Sequence, residues 1–277
     1  MKSAKKTKSR SKIIAYIALT IGAIFMIFPF IWMILTAFKT NAEAMQVPPT
    51  IFPANWNLES FTQAITSLPF FNLYVNTGLM IFFRIICAIV FCSMAGYAFA
   101  KLKFKGRNVL FSLILIQMML PSQIFIIPQY QMLASMGLTN TIFALVFPGL
   151  VSAFGTFFLR QAYMSIPDEL AEAAYLDGCN KWQTFTRVML PLTKNSLAAI
   201  SVFTAVFAYA DLMWPLIANT DINMMTLSSG LSTLNGQFTT NYPVLMAGSL
   251  LAMLPMVALY LVFQKQFIEG VAMTGGK

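Results

Sequence analysis

The residue types that usually carry out chemistry are scarce in this sequence. There is no histidine, so the usual general base at neutral pH is missing. The three cysteines, Cys87, Cys92 and Cys179, form no CxxC pair, which argues against a zinc or haem site. Residues 270–277 are glycine-rich but lack the spacing of a phosphate-binding loop. The sequence therefore predicts no catalytic and no metal-binding residue.

The most informative polar stretch is residues 165–192, SIPDELAEAAYLDGCNKWQTFTRVMLPL. Ser165 is a plausible N-cap, Pro167 suits a first turn, and Asp168 stands at the position of a capping-box variant. The helix that follows has an apolar side of small or aliphatic residues, which are Leu170, Ala173, Ala174 and Leu176. The pattern predicts a short helix that permits close approach of a partner.

The same stretch contains a predicted corner. Gly178, directly after Asp177, is the residue type that ends a helix in the left-handed conformation. A second short helix is expected over residues 180–189, ending before Pro191. Local physics leaves two interpretations open for the first helix. It packs on its own bundle at the membrane interface, or it docks into a groove of a soluble partner.

A second group of polar residues lies inside apolar runs. Arg84 stands near the middle of one, at a cost of roughly 2.5–3.5 kcal/mol on insertion scales, so it should face the bundle interior or water. Asp211 either pairs with Arg84 or lines the same cavity; alternatively, each meets separate groups, or Asp211 caps a helix end before Pro215. Further polar or aromatic candidates for a site are Asn76, Gln117, Gln123, Tyr130, Tyr209 and Trp214. Interhelical hydrogen bonds use the same residue types, so these residues have a structural interpretation too.

The elements that must position these residues are membrane spans. Of the 277 residues 58% are hydrophobic and only 10% charged, with a mean hydropathy of +0.72, whereas soluble domains carry about 25% charged residues. Six segments are long and apolar enough to cross a bilayer. They are residues 13–36, 71–100, 109–133, 141–159, 195–218 and 244–263. Pro121 and Pro128 should kink or end a helix in the third.

The basic residues predict the orientation. Six lie in the N-terminal tail, four between the second and third segments, four between the fourth and fifth, and two in the C-terminal tail. Lys39 falls on the other side. The positive-inside rule places both termini and both basic loops in the cytoplasm. The net charge of +9 is then a topology signal rather than a nucleic-acid footprint. The first apolar stretch is too long for a signal peptide and is expected to be retained.

The predicted organisation is a cytoplasmic tail at 1–12, a six-span domain at 13–263 that carries the loop 165–192, and a cytoplasmic tail at 264–277. The outer segment 39–70 contains Pro48, Pro49, Pro53 and Pro69 and should form a short ordered cap. The fold class is all-α, with six transmembrane helices and one cytoplasmic helical loop.

The loop carries a resemblance to a known family. EAAYLDG, followed by Phe185 and by Leu190-Pro191-Leu192, resembles the EAA loop of binding-protein-dependent ABC importer permeases. PTIFPANWNLESF, FFNLYVNTGLM, DLMWPL and the C-terminal FIEGVAMTGGK resemble segments of the carbohydrate, maltose-transporter-like type. Tyr209-Ala210 stands where that type often has Trp-Asn. The chain is thus similar to the smaller permease subunit of a type I importer.

The resemblance implies a bacterial or archaeal cell membrane, a function and a set of partners. A sugar or oligosaccharide would be delivered by an extracytoplasmic binding protein to a heterodimer of two permeases, driven by two ATPase subunits. ATP and Mg would be used by the ATPase and not bound by this chain, which would not itself be an enzyme. The residues implied in ATPase coupling are Leu170, Glu172, Ala173, Ala174, Asp177 and Gly178. The substrate-pathway candidates are Asn76, Arg84, Gln123, Tyr209, Asp211 and Trp214. Alternatives are an ABC permease for a polyol or glycerol phosphate, or an ion-coupled secondary transporter.

Overall fold

The computed structural model describes residues 2–236 and 240–275, and no strand occurs in these ranges. Three positions of the predicted outer loop, 237–239, and the last two residues of the predicted C-terminal tail, Gly276 and Lys277, lie outside the described residues. The chain forms two compact units, one from residues 1–68 and 231–254, the other from residues 69–230 and 255–277.

The first unit contains the N-terminal span. Helix α1 (Lys2–Ala37) includes an apolar stretch of 23 residues, Ala15–Ala37. Phe25 and Met26 are more than three-quarters exposed, as a lipid-facing helix requires. Two short helices, α2 (Asn41–Ala44) and α3 (Glu59–Ser67), order the proline-rich outer segment. Within it Glu43 accepts the backbone N–H of Ala54 at 2.7 Å. The prediction of an ordered cap is confirmed.

The second unit begins with one long helix. It consists of α4 (Phe70–Cys87), a π-helical turn at Ala88–Cys92, and α5 (Ser93–Lys101). Together they make an apolar run of 32 residues, Phe70–Lys101. This helix is the predicted second span, and it carries Arg84 at its centre.

The predicted third span is not one helix. Helix α6 (Arg107–Met119) ends, a 3-10 turn covers Ser122–Phe125, and α7 (Ile126–Ser135) leaves at an angle of 105°. The cause is Pro121, which excludes its predecessor Leu120 from the helical region; Leu120 is extended, with ψ 138°. Pro128 lies in the first turn of α7, where a missing N–H costs little.

The fourth apolar segment is bent by 48°. It comprises α8 (Ile142–Val146), a 3-10 turn at Phe147–Gly149, and α9 (Ala153–Met164). The loop that was predicted to be cytoplasmic follows as α10 (Glu169–Leu176), α11 (Lys181–Gln183), a π-helical stretch at Thr184–Met189, and α12 (Leu190–Leu192).

The predicted fifth span, 195–218, is interrupted. Helix α13 (Lys194–Ala210) ends where Asp211 becomes extended, and α14 (Met213–Ala218) begins two residues later. The outer connection holds a 3-10 turn, Ile222–Met224, and α15 (Leu227–Ser232). Helix α16 (Tyr242–Gly275) loses helical geometry at Phe263, the predicted end of the sixth span.

The number of spans agrees with the sequence. Three helices are long and apolar enough to cross a membrane alone, and the number rises to six within the described residues if each of three bent helix pairs forms one span. The third of these pairs joins Lys181–Leu192, which belongs to the predicted loop, to Lys194–Ala210 at 76°. The core of the second unit lies between α5 and α9. Gly96 allows this contact, because a Cβ there would lie 2.9 Å from the backbone nitrogen of Arg160.

Candidate functional site

The start of the loop helix α10 differs from the sequence prediction. Ser165 closes the preceding helix α9, and its hydroxyl donates to the carbonyl of Ala162 at 2.8 Å. Asp168 is the N-cap residue of α10, but its side chain makes no capping bond. It forms an ion pair with Lys101 instead. The predicted capping by Ser165 and Asp168 is wrong, because Lys101 lies close enough to take the carboxylate.

The buried face of α10 also differs from the apolar side that the sequence predicted. Ala171 and Ala174 are buried against the protein, whereas Leu170 is 43% and Leu176 90% exposed. Ala174 thus packs on the chain's own bundle. The interpretation that the helix packs on its own bundle is confirmed for one face, and docking to a partner stays a prediction for the other. The inner face packs on the bundle, and the outer face is free of the protein.

The outer face and the corner contain the other predicted coupling residues. Glu172, Ala173 and Asp177 are exposed. Gly178 has φ +84°, as predicted from its position. Its N–H donates to the Tyr175 carbonyl, and the next N–H, that of Cys179, donates to the Ala174 carbonyl at 2.9 Å. This pair of hydrogen bonds is a Schellman end, which fixes the direction in which the chain leaves α10.

The second loop helix starts as predicted and continues further. Asn180 and Gln183 form a capping box with two bonds of 2.9 Å. The helix does not end before Pro191; it runs through a π-helical stretch to Leu192. A π-helical stretch displaces the hydrogen-bond register, so the missing N–H of Pro191 is tolerated there. Phe185 and Met189 are buried by this arrangement.

The loop is attached firmly to α5 and α9. Besides its pair with Asp168, the Lys101 ammonium donates to the Ile166 carbonyl at 2.6 Å. Lys101 lowers the pKa of the Asp168 carboxyl, first through their hydrogen bond and then through its charge. The ring of Phe185 lies 5.1 Å from that of Tyr97, which in turn lies 5.7 Å from that of Tyr163. These contacts join the loop to both helices.

The same long helix joins the loop to a buried charge. Arg84 lies 17 residues before Lys101 on the helix Phe70–Lys101, roughly 25 Å along the axis at 1.5 Å per residue. Its side chain is 8% exposed. Nη1 of Arg84 donates to Oδ2 of Asp211 at 3.0 Å, while Nε and Nη2 donate to the Leu145 carbonyl. Of the alternatives left open by the sequence, the pairing of Arg84 with Asp211 is confirmed.

The ion pair borders a cavity of about 600 Å³. The cavity lies between the long helix, the bend from α6 to α7, the turn before α9, and the break between α13 and α14. Its polar lining consists of Arg84, Gln117, Ser122, Gln123, Gln129, Ser152 and Asp211, and the indole of Trp214 forms part of its wall. A second cavity of about 410 Å³ adjoins it and shares several of these residues.

The other predicted pathway residues are placed less directly. Asn76 is buried and donates both amide hydrogens to backbone carbonyls, those of Asn223 and Met225, at 2.8 and 2.9 Å. It holds the outer connection against α4. Trp214 uses its indole N–H on the Ala144 carbonyl at 2.8 Å. Tyr209 is half-buried and interacts with Tyr74, and Tyr130 is 38% exposed; neither lines the two cavities.

Sequence reasoning missed Gly149 and the carbonyl of Leu145. A Cβ on Gly149 would lie 2.6 Å from Cγ of Arg84 and 2.7 Å from its Cδ, so only glycine leaves room for this side chain. The signal was the Phe147-Pro148-Gly149 interruption of an apolar run. It indicated a turn but not which side chain crosses it.

Comparison with known proteins agrees with the loop and the helix arrangement. Residues 88–271 match the family model described as "Binding-protein-dependent transport system inner membrane component". The chain belongs to this family. It is therefore a membrane component of such a transport system and a multi-pass membrane protein.

Three similar proteins illustrate the range of the family. The arabinooligosaccharides transport system permease protein AraQ of Halalkalibacterium halodurans is 35% identical, over 94% of this chain and 95% of that protein. The sn-glycerol-3-phosphate transport system permease protein UgpE of Salmonella typhi is 30% identical, over 93% and 95%. A chain of a bacterial ABC transporter involved in the import of the acidic polysaccharide alginate has the same fold. Its TM-score is 0.78 at 22% identity, with 94% and 97% of the two chains covered.

Proposed function

We propose that this chain is the permease subunit of an ATP-driven ABC importer that moves a sugar or oligosaccharide delivered by an extracytoplasmic binding protein. The observation that carries the proposal is the continuous connection from the loop to the cavity. The outer face of α10 is available to a partner, its inner face is packed on the bundle, and one helix joins Lys101 to Arg84. The similarity to a permease for arabinooligosaccharides supports the choice of solute.

The partner implied on the cytoplasmic side is an ATPase subunit dimer, which would use ATP and Mg. Leu170 and Leu176 would enter a groove of the ATPase, with Glu172 and Asp177 at its edges. Closure of the ATPase dimer would then push α10. Because Lys101, Tyr97 and Phe185 attach the loop to α5, the push would reach the cavity at Arg84 without a flexible link.

The remaining parts of the proposal are a second permease subunit, which would complete the pathway, and an orientation with both termini in the cytoplasm. The orientation is supported by the basic tail and by the two basic loops. It also places Lys39 and the segment after α1 outside, where a binding protein would dock.

The test is purification of the tagged chain from gently solubilised native membranes, followed by mass spectrometry. The proposal expects an ATPase, a second permease and a solute-binding protein in the purified complex. A matched sample with Leu176→Asp should lose the ATPase and keep the second permease, because only the outer face of α10 is changed. Recovery of the chain alone, under conditions that preserve a control transporter complex, would contradict the proposal.

A further inference from the structure

The cavity beside the ion pair has an unusual distribution of charge. Among the residues that line it, only Arg84 and Asp211 are charged. The nitrogen atoms Nε, Nη1 and Nη2 of Arg84 all donate hydrogen bonds within the protein. The Arg84 side chain is 8% exposed. Three of the five guanidinium N–H groups are therefore engaged within the protein, and the positive charge is paired with Asp211.

Asp211 is placed differently. Its side chain is 24% exposed, and only Oδ2 accepts a hydrogen bond from Arg84. The residues that the structure describes give Oδ1 no donor. Asp211 lies at the break between α13 and α14, and its own carbonyl accepts the Ser228 hydroxyl at 2.7 Å, which fixes the backbone there. Of the two charged side chains in the lining, Asp211 is thus the more accessible.

The other polar groups fit the same ligand chemistry. Gln117, Gln123 and Gln129 bring neutral amides that both donate and accept hydrogen bonds, and the largely buried Trp214 forms part of the wall. A solute with many hydroxyl groups satisfies such a lining, since each hydroxyl can donate to a carboxylate and accept from an amide. A phosphate or carboxylate meets there a cation that is already paired, together with the partly exposed carboxylate of Asp211.

We infer that this cavity selects uncharged polyhydroxylated solutes against anionic ones, and that Asp211 is its specificity-determining residue. The inference rests on the proposed transport function and names its solute class. Names of similar proteins do not decide this point, since they include transporters for arabinooligosaccharides, for glycerol 3-phosphate and for the acidic polysaccharide alginate. In this chain the solute class is inferred from the paired charge of Arg84 and the partly exposed carboxylate of Asp211.

The test measures the charge of the cavity with thiol reagents. Gln123→Cys is introduced into the chain in its purified complex, and the unsubstituted chain corrects for Cys87 and Cys179. Reaction rates are compared for cationic trimethylammonioethyl and anionic sulfonatoethyl methanethiosulfonate, each normalised to a free thiol in solution. The cationic reagent should react faster. Adding Asp211→Asn leaves Arg84 unneutralised, so the ratio of the two rates should fall by about tenfold or more.

Solutes are tested in the same assay. Arabinotriose should slow the labelling of the Gln123→Cys chain several-fold, and glycerol 3-phosphate should not. When Asp211→Asn is added, glycerol 3-phosphate should slow the labelling more than arabinotriose does. Asp221→Asn, which changes an exposed outer-loop acid that lines neither cavity, is the matched control and should leave both the rate ratio and the order of the two solutes unchanged.

Three results would overturn the inference. The first is that the anionic reagent reacts faster than the cationic one with the Gln123→Cys chain. The second is that Asp211→Asn leaves the ratio of the two rates unchanged. The third is that neither reagent reacts with the Gln123→Cys chain or with a Ser122→Cys chain. The first and third results need no change at Asp211, so a folding defect of Asp211→Asn does not affect them. ATP-driven uptake by the same complex is measured separately. Absence of uptake with the expected rate ratio would refute the proposed function and leave the charge of the cavity established.

Discussion

Replacement of Gly149 by alanine should release the buried arginine. The new Cβ would lie 2.6 Å from Cγ of Arg84, and ordinary contact begins at 3.4 Å, so the two must separate by about 0.8 Å. The bond from Arg84 to Asp211 is 3.0 Å long at present. A displacement of this size takes it beyond the range in which a hydrogen bond contributes.

The magnitude follows from the bonds at risk. Hydrogen bonds to charged groups contribute about 1.5–3 kcal/mol each, and a buried pair that loses one partner costs about 3–5 kcal/mol. Asp211 keeps some access to solvent, which reduces the loss. We expect Gly149→Ala to lower the free energy of unfolding by about 2–3 kcal/mol. Since Gly149 has no positive φ, the effect is steric and not a backbone effect.

The assay is detergent-titrated unfolding of the purified chain, with a matched control. Gly78→Ala lies on the same helix as Arg84, and its new methyl group meets nothing within 4 Å. It should be neutral or stabilise by up to about 1 kcal/mol. In an Arg84→Ala background, Gly149→Ala should lower the free energy of unfolding by less than about 1 kcal/mol, because the arginine side chain that the new methyl group would meet is absent. Equal stability of Gly149→Ala and Gly78→Ala would refute the reasoning.

Three further predictions concern the loop. Gly178→Val should preserve assembly but uncouple ATP hydrolysis from uptake, because a β-branched residue resists φ +84°. Gly178→Asn, which tolerates this conformation better, should retain most coupling. Full uptake by the valine variant would contradict the corner geometry. Glu172→Lys should weaken ATPase association in a binding assay, with Glu59→Lys in the outer segment as control, and equal association would assign Glu172 to solvent. Lys101→Met should raise the pKa of Asp168 to its ordinary range, as measured by NMR titration of the carboxyl group. In the unmodified chain the contact between Lys101 and Asp168 stabilises the folded state at pH values above the ordinary aspartate pKa. This stabilisation is lost as the pH falls through the lowered pKa. An unchanged titration of Asp168 would refute the attribution to Lys101.

The periodic and compositional features of the fold were predictable. Long apolar runs locate the helices at 70–101 and 242–263 because burial in lipid needs length and little else. The corner at Gly178 and the helix start at Asn180 follow from local backbone chemistry, which acts within a few residues.

The errors arose where distant residues decided local structure. Asp168 was expected to cap its own helix, but Lys101, 67 positions earlier in the chain, takes its carboxylate. Ala174 is buried while Leu170 and Leu176, on the same predicted apolar side of α10, are exposed, because apolar character alone does not show which face meets the bundle. The pairing of Arg84 with Asp211 depends on how α4 and α13 pack, so the sequence left it open. The role of Gly149 depends on the same packing.

Uptake into proteoliposomes is the most direct test of the central claim, that an ATPase drives solute passage through this chain. The complex is reconstituted with its ATPase, second permease and binding protein, with labelled arabinotriose outside and ATP supplied to the ATPase side. The account predicts uptake that requires hydrolysable ATP and the binding protein, and that ionophores do not reduce. Uptake driven by a proton or sodium gradient without ATP would contradict it.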